Sequence, residues 1–294
     1  MKVLIIKLGA TGDVIRTTTL LRVLNGEIHW LTSDLNTIML YDNNKIKRCI
    51  PWSKASNLFG DKFDLIINLE DRFDTAQMLN QITYKDLFGV YLNNSDKLSY
   101  TENSKEWFDL SLISRFGKEQ ADKLKLDNRK SYQDIVFSGL GYLFKDEAYF
   151  IPQPRQTELK GDVAIAPKSG NIWPMKDWAY FDELKEKLEK LGFKVNYLPI
   201  RRSLLNHIGD IKNHRYLISG DSLPMHIALG SGIMCLTIFI CTSPWEIFDY
   251  GVQKKIVSPL LEKYFYKRTY DARATASISV DTVLSEFVRL TEQK

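Results

Sequence analysis

Lys2-Val3-Leu4-Ile5-Ile6-Lys7-Leu8-Gly9-Ala10-Thr11-Gly12-Asp13-Val14-Ile15-Arg16 opens the chain and decides how the rest is read. Val3 to Ile6 is a short apolar run rich in β-branched residues, as a strand buried on both faces of a parallel sheet should be. Gly9 and Gly12 then punctuate the chain, and Asp13 precedes an apolar-periodic segment carrying Val14, Thr17, Thr18, Leu21 and Leu24. Strand, glycine-containing turn and helix N-terminus make the first half of a βαβ unit. The turn spells Gly-x-x-Gly-Asp, so the Gly-x-Gly-x-x-Gly dinucleotide fingerprint is absent. Asp13 has two compatible readings. One is a helix N-cap whose carboxylate takes up free amides. The other is a general base at the carboxyl end of the first strand, where open α/β sheets place their ligands.

Working outward, Glu27–Thr32 reads as a second strand, Lys47–Pro51 as a third, Phe63–Leu69 as a fourth and Phe88–Leu92 as a fifth. Asp34 is a candidate cap for a short helix ending near Tyr41, and Glu70-Asp71 open a helix with Ala76, Met78 and Leu79. From Ser104 to Phe144 the pattern is helical and charged. Ile151-Pro152-Gln153-Pro154-Arg155-Gln156 is the clearest break, because two prolines stop a helix and cannot join a central strand. The expected domains are therefore 1–154 and 155–294. Beyond the break the alternation restarts. Strands are expected at Asp162–Ala166, Phe193–Leu198, Tyr216–Ile218 and Ile233–Ile240, the last in the centre of its sheet. Helices are expected at Asp177–Leu191 and Ser279–Leu290. The fold class is α/β, with two doubly wound, Rossmann-like domains facing a central cleft.

At 294 residues, with 44% hydrophobic and 26% charged, the chain is long enough to fill two cores. A net charge of +4 suits an anionic ligand or a membrane surface and falls short of a nucleic-acid signature. Cys49, Cys235 and Cys241 have no metal-ligand spacing and read as buried free thiols in a reducing compartment. The first strand begins almost at once, and the longest apolar run, Ile233 to Cys241, is too short to span a bilayer. A cytoplasmic protein is the expectation.

Three loops carry candidate chemistry. Ala166-Pro167-Lys168-Ser169-Gly170-Asn171 sets a lysine and a hydroxyl beside flexible backbone before Trp173-Pro174, a phosphate clamp or an ordinary polar connection. Ser219-Gly220-Asp221-Ser222-Leu223-Pro224-Met225-His226 ends a strand and starts a helix whose free amides favour an anion. His226 falls in that first turn, as a phosphate donor or as a structural helix residue. Thr242-Ser243-Pro244-Trp245-Glu246 again puts polar groups at a strand's carboxyl edge. There is no Asp-x-Asp, so a site built on a carboxylate-held metal is disfavoured, and there is no Walker loop or Gly-x-Ser-x-Gly elbow.

Lys7 through Thr18, Ile28 through Thr32, Ser219-Gly220-Asp221-Ser222-x-Pro224-Met225-His226, Thr242-Ser243-Pro244 and Tyr250-Gly251 occur in one order. Together they closely resemble the bacterial heptosyltransferases, glycosyltransferase family 9, over most of the chain. The resemblance implies a GT-B fold and inverting, metal-independent transfer of a sugar, usually heptose from ADP-heptose, to a lipopolysaccharide-type acceptor. It implies Asp13 as general base, with Gly9, Thr11, Gly12 and Arg16 on the acceptor side. It places the donor at Lys168, Ser169, Asn171, Trp173, Asp221, Ser222, Leu223, Met225 and His226. No cofactor is implied beyond the nucleotide sugar; the partners are that donor and a glycan or lipid-linked glycan, with peripheral contact at the inner membrane surface and no nucleic acid. Two positions depart from the family pattern. Leu223 stands where the family has glycine, and Asn171 stands where it has a lysine or arginine. The stretch from Pro199 to Arg215 also reads as a short connection. The rival readings are a nucleotide-sugar epimerase and a non-catalytic nucleotide-sugar binding protein on the same architecture.

Overall fold

The computed structural model describes residues 1–170 and 172–292, and it divides into two compact units, Met1–Pro152 and Gln153–Lys294. The first is built on a six-stranded sheet in the order β3-β2-β1-β4-β5-β6. Its strands are β1 (Lys2–Ile6), β2 (Glu27–Thr32), β3 (Ile46–Pro51), β4 (Lys62–Asn68), β5 (Thr83–Leu92) and β6 (Leu98–Tyr100). All neighbours run parallel except β6, which pairs antiparallel with β5 at the edge. From Val3 to Ile6 β1 is apolar because both of its faces are covered. Val3 and Ile5 pack with Val14, Leu20, Tyr132 and Val136 on one side, and Leu4 and Ile6 pack with Leu58, Met78 and Leu79 on the other. The helices are α1 (Thr11–Thr17), α2 (Phe73–Met78), α3 (Lys105–Phe108), α4 (Lys118–Asp127) and α5 (Tyr132–Gly139).

The second unit carries a five-stranded, all-parallel sheet in the order β11-β10-β9-β7-β8. In chain order its elements are β7 (Gly161–Ala166), α6 (Phe181–Lys190), β8 (Val195–Tyr197), α7 (Leu204–Lys212), β9 (His214–Gly220), α8 (Leu223–Ser231), β10 (Met234–Phe239), β11 (Gln253–Val257), α9 (Leu261–Tyr264), α10 (Ala272–Thr275) and α11 (Val280–Glu292). Val163, Ile165, Tyr216, Ile218, Leu236 and Ile238 point to one face, which Leu184 and Leu188 of α6 and Val283 and Phe287 of α11 cover.

Several expectations are corrected. The central strand of the second sheet is β9; β10 is interior but has β11 outside it, a strand whose Gln253, Lys254 and Lys255 hid it from an apolar pattern. The connection from Pro199 to Arg215 holds α7. Asp34 does not cap the 3-10 turn Asp34–Met39, whose N-cap is Ser33; its carboxylate accepts from the amide of Ser53 at 3.1 Å and from the Ser53 hydroxyl. Cys235 and Cys241 are buried free thiols, whereas Cys49 is only half-buried. Burial pushes the Cys49 thiol up to about 11 and Cys235 to about 12. Among the described residues no helix is long and apolar enough to cross a membrane.

The strand orders matter for function. In the first sheet the chain winds outward from β1 through β2 to β3, then returns to lay β4 on the other side of β1. In the second it goes from β7 to β8 and returns to lay β9 on the other side of β7. The loops after β1 and β4, and those after β7 and β9, therefore flank topological switch points, the places where such sheets bind ligands.

Candidate active site

At the first switch point the loop from Lys7 to Ala10 leads into α1. Its N-cap position is Ala10, which has no side-chain oxygen to offer, and Asp13 is the third helical residue. The N-cap reading of Asp13 is thus overturned. Its carboxylate lies in the helix's first turn, near the positive end of the dipole, and pairs with the Arg16 Nη2 at 2.9 Å. The two side chains differ in exposure, 33% for Asp13 against 10% for Arg16. The Arg16 guanidinium stacks over Tyr132, 4.1 Å from the ring centre, and lies 5.4 Å from the Trp107 ring. The Thr17 hydroxyl donates to the Asp13 carbonyl at 2.7 Å and lies 2.7 Å from the Tyr132 hydroxyl. One turn of helix is therefore tied to α5 through an aromatic ring and a hydroxyl.

In the neighbouring loop after β4 the sequence predicts a helix opening at Glu70-Asp71, but α2 begins only at Phe73, and Glu70 turns back toward β1. Its Oε1 accepts from the amides of Leu8 at 2.8 Å and Gly9 at 3.4 Å, and it pairs with the Lys7 ammonium at 2.8 Å. Burial pulls the Lys7 pKa down, but the charges of Glu70 and then Asp13 outweigh it and hold it above the ordinary lysine value. The Asn36 amide donates to the Leu8 carbonyl at 2.7 Å, and the Thr11 hydroxyl donates to the Asn36 Oδ1 at 2.7 Å. The structure thus gathers Gly9, Thr11, Gly12, Asp13 and Arg16 at one strand end. It adds Lys7, Asn36, Glu70 and Tyr132, none of which the sequence analysis placed among the site residues. The signal for Tyr132 was the capping box formed by Ser131 and Asp134.

At the second switch point, three loops meet around one carboxylate. Asp221, just after β9, receives the Lys176 ammonium at 2.9 Å and the Thr242 hydroxyl at 2.9 Å on Oδ2. The same ammonium donates to the Asp221 carbonyl at 2.8 Å. Burial pushes the Asp221 carboxyl up, but the Lys176 and His226 charges and the two hydrogen bonds outweigh it and hold it below the usual carboxylate range. The carboxylate of Asp221 is thus engaged within the protein, by Lys176 and Thr242.

Ser222 occupies the N-cap position of α8 in extended backbone, and its side chain makes no cap bond to the first amides of the helix. Leu223 is half-buried at the first helical position, and His226 is buried in the first turn beyond Pro224. Met225 is fully buried, so its side chain packs in the interior. Lys168 reaches outward, 79% exposed, and pairs with Asp177 at 3.0 Å. Asp177 also accepts from the Ser169 amide at 2.9 Å, and the helix expected from Asp177 starts at Phe181. Trp173 sits edge-on to Tyr266, with Arg268 5.1 Å and Lys176 5.5 Å from the ring centre. Asn171 lies outside the described residues. Behind this edge Lys255 donates to the carbonyls of Pro244, at 2.8 Å, and Ile247, fixing the loop after β10; burial holds its pKa below the ordinary value.

No family model matches the chain, and no curated protein does. Solved structures do. A family 9 glycosyltransferase from Veillonella parvula matches 100% of this chain and 97% of its own at 16% identity, with a TM-score of 0.69. The E. coli heptosyltransferase WaaC with ADP matches 99% of this chain and 100% of its own at 14% identity, TM-score 0.67. E. coli ADP-heptose lipopolysaccharide heptosyltransferase II matches 100% and 99% at 14% identity, TM-score 0.61. The fold is GT-B. Identities of this size carry the fold and leave the activity to the chemistry of the site. In GT-B terms each Rossmann-like unit presents one polar cluster at the carboxyl edge of its own sheet. One is built around an accessible carboxylate, the other around an uncapped helix start.

Proposed function

We propose that this protein is an inverting glycosyltransferase that moves a sugar from a nucleotide diphosphate donor to a hydroxyl of a glycan or lipid-linked glycan. The donor is ADP-heptose, on the ground that GT-B structures alike over the whole chain include heptosyltransferases holding ADP and a fluorinated ADP-heptose. The observation that carries the reading is the Asp13 carboxylate at the β1/β4 switch point, one-third exposed and held by Arg16. As the acceptor oxygen attacks C1 of the sugar, Asp13 takes the hydroxyl proton. The bond from C1 to the diphosphate oxygen breaks on the opposite face, which inverts the anomeric centre. The first unit binds the acceptor and the second the donor. The leaving diphosphate is met by the uncapped amides of α8, the Ser222 hydroxyl, His226 and the outward-reaching Lys168. No metal is needed in this scheme, because those groups supply the positive potential.

The test is release of ADP from ADP-heptose, followed with and without a heptose-accepting glycolipid, in EDTA and in magnesium. Acceptor-dependent release at equal rates in both buffers is the expected result. Binding of ADP-heptose without any release would make the protein a nucleotide-sugar binder. A rate that collapses in EDTA would end the metal-free mechanism.

A further inference from the structure

The buried lysine of the second unit has no role in the scheme above, and its surroundings assign it one. Lys176 is 11% exposed and Asp221 15%, and two of the three ammonium protons go to that single residue, one to its carboxylate and one to its carbonyl. Thr242 adds a third bond to the same carboxylate. The clamp therefore joins the loops that follow β7, β9 and β10. A buried ion pair is weak as a source of stability, so its presence at this edge calls for another reason. The pair stands immediately before Ser222 and the uncapped start of α8, where an unneutralised carboxylate would repel an incoming diphosphate. The approach is also tight. A Cβ on Gly220 would lie 2.8 Å from the Lys176 carbonyl oxygen and 3.1 Å from the Ser169 hydroxyl, so backbone meets backbone there. Two further hydroxyls on these loops, Ser169, against Gly220, and Ser243, beside Thr242, are buried without a hydrogen-bond partner among the described residues. Buried polar atoms seldom lack one, and a ligand oxygen at this edge would supply it.

We propose that Lys176 is a positioning residue of the donor site, which acts through Asp221 by holding and neutralising its carboxylate so that a nucleoside diphosphate can dock beside it. The proposal rests on the donor reading above. It separates two lysines by role: Lys168 touches phosphate, and Lys176 prepares the place.

The experiment is calorimetric titration of the full chain with ADP and with adenosine. The proteins are wild type, Lys176→Met and the double variant Lys176→Met/Asp221→Asn. Lys176→Met should weaken ADP binding about 10- to 150-fold, the scale of one charge-assisted contact, and adenosine binding little. The double variant, which removes both charges and avoids leaving one buried alone, should recover most of the lost ADP affinity. If it stays as weak as Lys176→Met while adenosine is unaffected, Lys176 contacts the diphosphate itself and the proposal is wrong. Equal losses for ADP and adenosine in both variants would reduce the clamp to a structural brace. Wild type that binds no ADP would refute the donor reading, and with it this proposal, before any variant is compared.

Discussion

Arg16 turns the Asp13 carboxylate from a mobile group into a fixed one. A guanidinium stacked on Tyr132 has little freedom, so the carboxylate it grips is held at one end of β1 with one-third of its surface open. Lys168 is the opposite case, a long exposed arm whose partner Asp177 also holds the Ser169 amide. A diphosphate competes well for such an arm, because an exposed ion pair contributes little. Lys168→Ala is therefore expected to weaken ADP binding about 10- to 150-fold and leave adenosine nearly unchanged; equal loss of both would mark it as structural. Asp221 carries a pH signature. Its carboxyl is held below the ordinary value of 3.8, so its contribution to stability is fully present above that value and is lost as pH falls through the lower folded value. Melting curves between about pH 2 and pH 7 should show a flatter acid limb for Asp221→Asn than for wild type. Parallel curves would mean that the carboxylate gains nothing from its clamp.

Among the elements, the approach of β9 to the loop after β7 is the closest tolerance in the second site. Gly220→Ala puts a methyl group 2.8 Å from a backbone oxygen that cannot swing away. The expected cost is about 1–3 kcal/mol, seen as a Tm several degrees lower together with weakened ADP binding. An alanine variant with wild-type Tm and affinity would show that the two loops are not in register. The elements legible in the sequence were those buried on both faces. β1, β4 and β10 read as near-continuous apolar runs because helices or loops cover each side. Those missed lie at edges or in polar dress: β6 has three half-buried residues, β11 carries two lysines, and the first half of β5 is largely exposed. Asp13, Asp34 and Asp177, each standing before an apolar period, illustrate a second limit. Their carboxylates go to Arg16, to Ser53, and to Lys168 and Ser169, partners that helix periodicity does not reveal.

For the molecule as a whole, the site was half visible before the fold was known. The glycine turn with Asp13 and the Gly220–His226 strand end were legible as candidates, because each is a strand-to-helix junction marked by glycine or proline and polar residues. The residues that hold them were not. Glu70 is 62 positions from the Leu8 amide it accepts, and Lys176 is 45 positions from Asp221. Only the strand orders bring them to their switch points. The central claim is that Asp13 removes the acceptor proton, and one paired measurement on Asp13→Asn addresses it most directly. The asparagine keeps the shape but cannot take the proton at neutral pH. It also loses the charge that pairs with Arg16, a cost of about 1 kcal/mol given the exposure of Asp13, so the variant should melt slightly lower yet remain folded. Turnover of ADP-heptose with acceptor should fall about 10²- to 10⁴-fold while the affinity for ADP is unchanged. A folded Asp13→Asn protein that transfers sugar at close to the wild-type rate would contradict it and send the search for the base elsewhere.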